Sequence, residues 1–367
     1  MDFNIKELFK KIGLSGSGSN QIVGIDIGSS FIKVVQLRKE KERAILETYG
    51  QIAVGPYARL GIGQAAKLSE DSVVNIIKDV LKEANVKAKD AIVSIPLKSS
   101  FITVIKLPIT EGQNISEMIQ IEARRYIPIS ISEVVLDWWI LPDEAKEGEP
   151  TEGQRNKMAQ ILLVATHRDI INNYKNIIAK AGLNAKAYEI ESFSMIRSSL
   201  GREKSPVLII DFGALSTKMS VIDYGTIRAC HTVSQGSQDL TLALSHSMGV
   251  DFGKAEEMKR EIGLSELPEH REMVAVMEPI LDYIFSEINV FMKSFQNKNQ
   301  RPIGRIFMTG GGSLLKGLVD FSIKRFTIEA RVANPFEKIE HPAFLSNVLN
   351  EVGANFSIAI GLAIREL

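Results

Sequence analysis

Cysteine is nearly missing from this chain. Its 367 residues include one, Cys230, which excludes an intrachain disulfide framework and any multi-cysteine zinc site and fits a reducing compartment. There is no excess charge of either sign: Lys+Arg and Asp+Glu each number 44. A large nucleic-acid footprint needs clustered cations to displace counterions, so no nucleic-acid partner is expected. Long apolar runs are missing too. The longest, "ILLVA" at 161–165 and "VLII" at 207–210, have the length of buried strands, far from the ~20 residues that span a bilayer. The opening "MDFNIKELFKKIGL" has no continuous apolar core and does not read as a signal peptide. A cytoplasmic chain is the expectation. No GxxxxGK[ST] pattern occurs and no GxGxxG follows a strand, which excludes P-loop and Rossmann readings. There is no G-x-S-x-G elbow, and the five histidines share no metal-ligand spacing.

What is there is an ordinary globular composition, 45% hydrophobic and 24% charged, able to bury a real core. At ~150 residues per domain the length suits two or three units or one bilobed protein. Residues 2–14 place Phe3, Ile5, Leu8, Phe9 and Ile12 near one face of a short amphipathic helix. "SGSGSN" at 15–20 follows as a tether. The segment reads either as a frayed terminus or as one that docks on a membrane surface or partner. Three β-branched runs come next, "QIVGIDIGS", "FIKVVQLRKE" and "RAILETYGQIAV". The spacing predicts a helix over 70–84, capped by Ser69 or Asp71, and then a strand "AIVSIP". Residues 97–159 read as an inserted α+β unit: strand "FITVIKLP", helix "ISEMIQIEARRYI", strand "EVVLDWWIL", then a polar stretch leading to "MAQILLVATH". The adjacent Trp138 and Trp139 should leave at least one ring facing outward, where it could anchor a peptide. The apolar stripe from Ile280 to Phe295 reads as a core helix.

An internal repeat is the most informative feature. "GIDIGSSFIKVVQL" at 24–37 aligns without a gap on "IIDFGALSTKMSVI" at 209–222, half a chain length later. Asp26 falls on Asp211, Gly28 on Gly213 and Lys33 on Lys218. Each half opens with a strand, a tight turn and a strand, with a carboxylate at the turn. Such turns bring backbone N–H groups close to phosphate oxygens, and the aspartates beside them can hold Mg²⁺ through its water shell. Two facing turns can clamp a triphosphate, so a duplicated α/β domain with a cleft between its halves is inferred. A third turn, "RIFMTGGGSLLKGLVDF" at 305–321, puts Gly310, Gly311 and Gly312 between a strand and a helix expected to start near Ser313. This allows close approach of a base or phosphate. In "GKAEEMKREIGL" at 253–264, Glu256, Lys259 and Arg260 share one helical face. They form either a solvated face with internal ion pairs or a clamp on a nucleoside.

Together these motifs resemble the actin-like ATPase superfamily, which includes actin, the DnaK-type chaperones, FtsA and sugar kinases. Within it, "IEARRYIPISISEVVLDW" at 121–138, the opening "GIDIGSSFIKVVQL" and the closing "NFSIAIGLAIRE" are similar to the PilM family of type IV pilus assembly. The resemblance implies a duplicated actin-like (ribonuclease H-like) α/β fold. Residues 21–96 and 160–200 would form the first lobe, 97–159 the insert, 201–352 the second lobe, and 353–367 a helix packing back on the first, with 1–20 a flexible tail. It implies ATP with Mg²⁺ in the cleft. Asp26, Gly28, Ser29, Ser30 and Lys33 would form the first phosphate motif, and Asp211, Phe212, Gly213 and Ala214 the second. Gly310, Gly311 and Gly312 would form the adenosine motif, and Glu256, Lys259 and Arg260 the ribose and base contacts. Asp26 and Asp211 would hold the metal through water. Glu191 matches a position where relatives keep an acid or amide that orients the attacking water, making it the candidate catalytic residue.

The implied partners are the cytoplasmic N-terminal segment of the membrane protein PilN and the pilus machinery at the inner membrane, with a homo-oligomer left open. The chain would then sit peripheral to that membrane. Two departures bear on turnover. Leu215 and Ser216 stand where active relatives commonly have glycines, and a Cβ restricts positive φ and close approach. Lys218 stands where many relatives carry an acid. Both point to nucleotide binding with at most slow hydrolysis. The rival readings are an FtsA-like division protein that polymerises, from which the absence of a long C-terminal tail separates this sequence, and a small-molecule kinase, for which no catalytic base is evident.

Overall fold

In the computed structural model, which describes residues 20–109, 115–141 and 157–367, two five-stranded sheets have the same plan. The first runs β3-β2-β1-β4-β8 and the second β11-β10-β9-β12-β13. Here β1 is Gln21–Ile27, β2 Phe31–Glu40, β3 Arg43–Ala53, β4 Asp90–Ile95 and β8 Asn184–Ile190. In the second sheet β9 is Val207–Phe212, β10 Thr217–Asp223, β11 Thr226–Val233, β12 Arg305–Thr309 and β13 Glu329–Val332. In both sheets the first three strands form an antiparallel meander and the last two join in parallel. The central strands β1 and β9 are buried almost throughout. That explains their continuous apolar runs, because helices cover both faces.

In the first lobe, helix α1 (Glu70–Glu83) is capped by Ser69, whose hydroxyl accepts from the Ser72 N–H at 3.3 Å. Val74, Ile76, Ile77 and Val80 turn inward to meet Val23, Ile25 and Ile32, as an amphipathic stripe requires. The insert is a sheet of order β5-β7-β6 (β5 Ser100–Ile109, β6 Val134–Ile140, β7 Lys157–His167), antiparallel throughout, so residues 160–167, expected in the first lobe, lie in the insert's central strand. Helix α2 (Ile115–Ala123) covers one face through Ile119 and Ala123. It stops short of the expected Ile127, whose N–H still bonds back to the Ala123 carbonyl at 2.9 Å. The tryptophans correct part of another expectation: one ring does face out of the insert, but both are half-buried and neither is exposed. Neighbours on a strand point to opposite faces. Trp138 therefore packs toward α2, and Trp139 toward the first lobe against Phe193, ring centroids 5.3 Å apart.

Helix α3 (Arg168–Lys180) returns the chain to β8, and α4 (Glu191–Ser199) leads across to the second lobe. There α5 (Ser237–Met248), α6 (Phe252–Ile262) and α7 (Arg271–Asn299) pack on the sheet. The inward stripe of α7 is Leu281, Ile284, Phe285, Ile288, Met292 and Phe295. After β12 a short turn, Gly311–Leu314, precedes α8 (Leu318–Phe326). The helix does not begin near Ser313. Gly312 lies against the Phe212 ring, the Ser313 hydroxyl donates to the Gly310 carbonyl at 2.7 Å, and Gly317 at φ +81° turns the chain before the helix can start.

Helix α9 (Ser346–Val352) and a turn lead to α10 (Ser357–Ile364), buried along its length. The run Ala343–Ile364 is long and apolar enough by composition to cross a membrane, yet 61% of its most apolar stretch is buried inside the protein. It packs among β1, β4 and α4 as a core helix. A Cβ on Gly361 would run into the Ser194 carbonyl, so α10 and α4 touch backbone to backbone there. Residues 2–14 lie outside the described residues.

Candidate functional site

The aligned turns prove to be one structure built twice. In the first, Gly28 N–H donates to the Phe31 carbonyl at 3.1 Å; in the second, Gly213 N–H donates to the Ser216 carbonyl at 3.1 Å. Across the first hairpin Asp26 pairs in register with Lys33, and across the second Asp211 pairs with Lys218. Crowding requires glycine at the head of the first turn, where a Cβ would stand 2.7 Å from the Phe31 oxygen, and favours it at the second, where the approach to the Ser216 oxygen would be 3.0 Å. No residue of either turn has positive φ. The expected restriction at Leu215 and Ser216 therefore corrects to one of approach alone. The Leu215 side chain stands 48% exposed in its turn.

The turns are joined across the lobes in two places. Ala66 N–H donates to the Ser29 carbonyl at 3.2 Å. Its neighbour Ala65 donates to Gln238 Oε1 at 2.6 Å, and Gln238 N–H donates to the Ala214 carbonyl at 3.0 Å. Three hydrogen bonds thus connect one turn to the other. The second junction is ionic. Lys218 Nζ lies 3.1 Å from Asp211 Oδ2 and 2.9 Å from Glu191 Oε2, while Glu191 Oε1 accepts from the Leu97 N–H at 2.6 Å. Both Glu191 oxygens are therefore engaged by the protein.

Burial pushes the Glu191 carboxyl above its ordinary value, with Lys218 and the Leu97 N–H opposing and Asp211 adding to the shift. Burial also opposes charge on Lys218, but Glu191 and Asp211 together outweigh it and hold the ammonium above the ordinary lysine range. The half-buried Tyr174 phenol is raised by burial first, then by Glu191 and Asp26, with Lys218 opposing. Tyr174 is thus within electrostatic reach of Asp26 in the first hairpin and of the Glu191–Lys218 pair.

Asp26 is held differently from Asp211. Its Oδ1 accepts from the Ser94 hydroxyl at 3.2 Å, and its Oδ2 stands 3.6 Å from Lys33 Nζ. The triple-glycine turn closes on the second acid: Gly310, at φ +80°, leaves no room for a Cβ beside Asp211 Oδ1, and Gly312 none beside the Phe212 ring. Gly311 stands beside the Asn355 side chain.

Glu256, Lys259 and Arg260 on α6 are also drawn together. Glu256 Oε2 accepts from Lys259 Nζ at 2.7 Å and from the Thr241 hydroxyl at 2.6 Å, while Oε1 accepts from Arg260 Nε at 2.9 Å. Lys259 also donates to the Ser237 carbonyl at 3.1 Å, and Ser237 N–H donates to Gly213 of the second turn at 2.9 Å. Of the two readings of this face, internal ion pairing is what these bonds describe. Burial disfavours the Glu256 anion, but Lys259, Thr241 and Arg260 outweigh it and hold the carboxyl below its ordinary range. Sequence reasoning missed Gln238, and it aligned Lys218 on Lys33 but gave it no place in the site. The repeat itself held the signal for Lys218, because it falls on Lys33.

A model of the family described as "Type IV pilus assembly protein PilM" matches residues 24–367. The chain belongs to the PilM family. A solved PilM-PilN type IV pilus biogenesis complex shares its fold at a TM-score of 0.78 and 23% identity, covering 94% of this chain and 98% of that one. MreB5 of Spiroplasma citri bound to ADP is a more distant likeness, TM-score 0.52 at 12% identity, covering 95% and 96%. Among curated proteins, the cell division protein FtsA of Enterococcus faecalis is 22% identical over 372 residues, 90% of this chain and 82% of that protein. This PilM-family chain is accordingly an actin-like protein of type IV pilus assembly.

Proposed function

We propose that this PilM-family chain binds ATP between its two lobes and holds the N-terminal cytoplasmic segment of PilN beside the insert, as a scaffold with at most slow hydrolysis. The observation that carries the reading is the duplicated turn, with an acid and a lysine in register on each side. Lys33 and Lys218 supply fixed cations for a phosphate chain, and the turn N–H groups and Gly310 supply close backbone approach. Glu256, Lys259 and Arg260 would border the nucleoside end, with Arg260 the most open of the three.

Asp26 and Asp211 already accept hydrogen bonds or face lysines. Such carboxylates suit water-mediated contact with magnesium better than direct ligation. Magnesium, when bound, would supply neutralisation of phosphate charge; the chain's own part is to position and screen. Little covalent work falls to a protein in phosphoryl transfer, and a Glu191 with both oxygens occupied is poorly placed to orient water. That supports binding over turnover.

The neighbouring fold in complex with PilN supports PilN as the partner. Recruitment to the inner membrane would then follow through that partner. Calorimetry with ATP and magnesium tests the cleft: micromolar heat in the full chain, lost in Asp26→Ala, is expected, and no heat in either refutes it. A pull-down with a PilN-type N-terminal peptide against an FtsZ tail peptide tests the partner; capture of the FtsZ tail instead would favour the division-protein reading.

A further inference from the structure

We infer that Lys218 is a relay between the cleft and the insert: phosphate entering the cleft draws on its ammonium, and Glu191, which shares that ammonium, holds the backbone where the insert begins.

The relay is a continuous set of contacts. Asp211 at the second turn and Glu191 at the head of α4 share Lys218 at 3.1 and 2.9 Å, although they belong to different lobes. Glu191 accepts from the Leu97 N–H at 2.6 Å, a buried hydrogen bond across 94 positions of the chain. Leu97 is buried at the joint between the first lobe and the insert, in one apolar cluster with Ile95, Leu141, Leu162 and Val164. Pro96 precedes it with φ −62°, so the chain turns into the insert with little torsional slack.

The charges explain why this joint would respond. Glu191, Asp211 and Lys218 form a buried group of two anions and one cation. An anion added nearby competes directly for that cation. With its share of Lys218 reduced, Glu191 is a poorly compensated buried carboxylate, which is costly, and its grip on Leu97 weakens. Nothing comparable occurs on the first-lobe side, where Lys33 stands 3.6 Å from Asp26 and Asp26 takes its second bond from Ser94 inside the same sheet. Lys218 is thus a positioning residue for the insert as well as a cation for phosphate.

The inference rests on the nucleotide reading of the cleft, and the test separates the two. In the full chain, ATP–magnesium binding is measured by calorimetry, and exchange of the Leu97 amide is followed by NMR at ATP saturation, with Ile92 of β4 as internal reference. We expect ATP to bind and Leu97 exchange to rise about tenfold relative to Ile92, which corresponds to ~1.4 kcal/mol. Glu191→Gln keeps an acceptor for Leu97 but gives up the ion pair. At saturation it should show no ATP response, whereas Lys218→Arg should keep one. Binding heat with unchanged Leu97 exchange, or a full response in Glu191→Gln, overturns the relay and leaves the cleft assignment standing. No binding heat overturns the cleft assignment, and the relay with it. Both variants keep a polar side chain at the site, so neither empties a buried position.

Discussion

The two hairpins share a register, a turn hydrogen bond and an acid–lysine pair, yet they use the pair in opposite ways. In the first lobe the pair is loose, and the acid is steadied from within its own sheet by Ser94. In the second the lysine is held by two acids, one of them from the other lobe. Duplication thus supplied two equivalent turns, and a single residue, Glu191, made one of them a tie to the other lobe. The lesson is that sequence equivalence fixes the local frame, while the tertiary neighbour decides whether a charge stays available to a ligand.

Removing the lysine of the tight pair should break the comparison most strongly. Lys218→Met leaves Glu191 and Asp211 buried without their cation, and urea unfolding should show a loss of about 3–5 kcal/mol, whereas Lys33→Met should lose less, because it strands one buried acid instead of two and Asp26 keeps its bond from Ser94. Equal losses would mean that the hairpins are energetically alike. Next in size is Asp26→Ala, which should lower magnesium-dependent ATP affinity at least about tenfold, ~1.4 kcal/mol.

Acid should separate the second lobe from the first. Glu256 has its folded-state pKa depressed. Its contribution is therefore present above the unfolded-state carboxylate value and is lost as pH falls through the lower folded-state value. Glu256→Gln should flatten that part of the pH–stability curve, by about 1 kcal/mol; an unchanged curve would show that the α5–α6 network carries no such linkage. The smallest effect is expected at Leu215→Gly. The turn needs no left-handed residue there, so the change should move stability by only ~0.5–1 kcal/mol, the usual cost of glycine's extra freedom. A rise in ATP turnover in that variant would show that the Leu215 side chain, by limiting approach, is what keeps hydrolysis slow.

Much of the frame was legible because it is local. β-branched runs separated by a glycine turn read as hairpins, the α1 and α7 stripes read as helices, and Asp26 over Asp211 exposed the duplication. What escaped reading depends on contacts distant in the chain. The helix expected from Ser313 is delayed by Phe212, about a hundred positions earlier in the sequence. One of the two tryptophans was expected to be exposed because the Phe193 that meets Trp139 could not be placed opposite it. Glu256, Lys259 and Arg260 had the right spacing for either role, and only Thr241 and Ser237 show how fully their hydrogen-bonding capacity is used. The tie at Lys218 needed Glu191 beside it, and no spacing rule brings positions 191 and 218 together from two different lobes.

At Gly361, α10 meets α4 with no side chain between them. Bare backbone against backbone leaves these two rods no slack, so their spacing is set by main-chain atoms and not by any side chain that could repack. A single added methyl, Gly361→Ala, would meet the Ser194 carbonyl and wedge the rods apart.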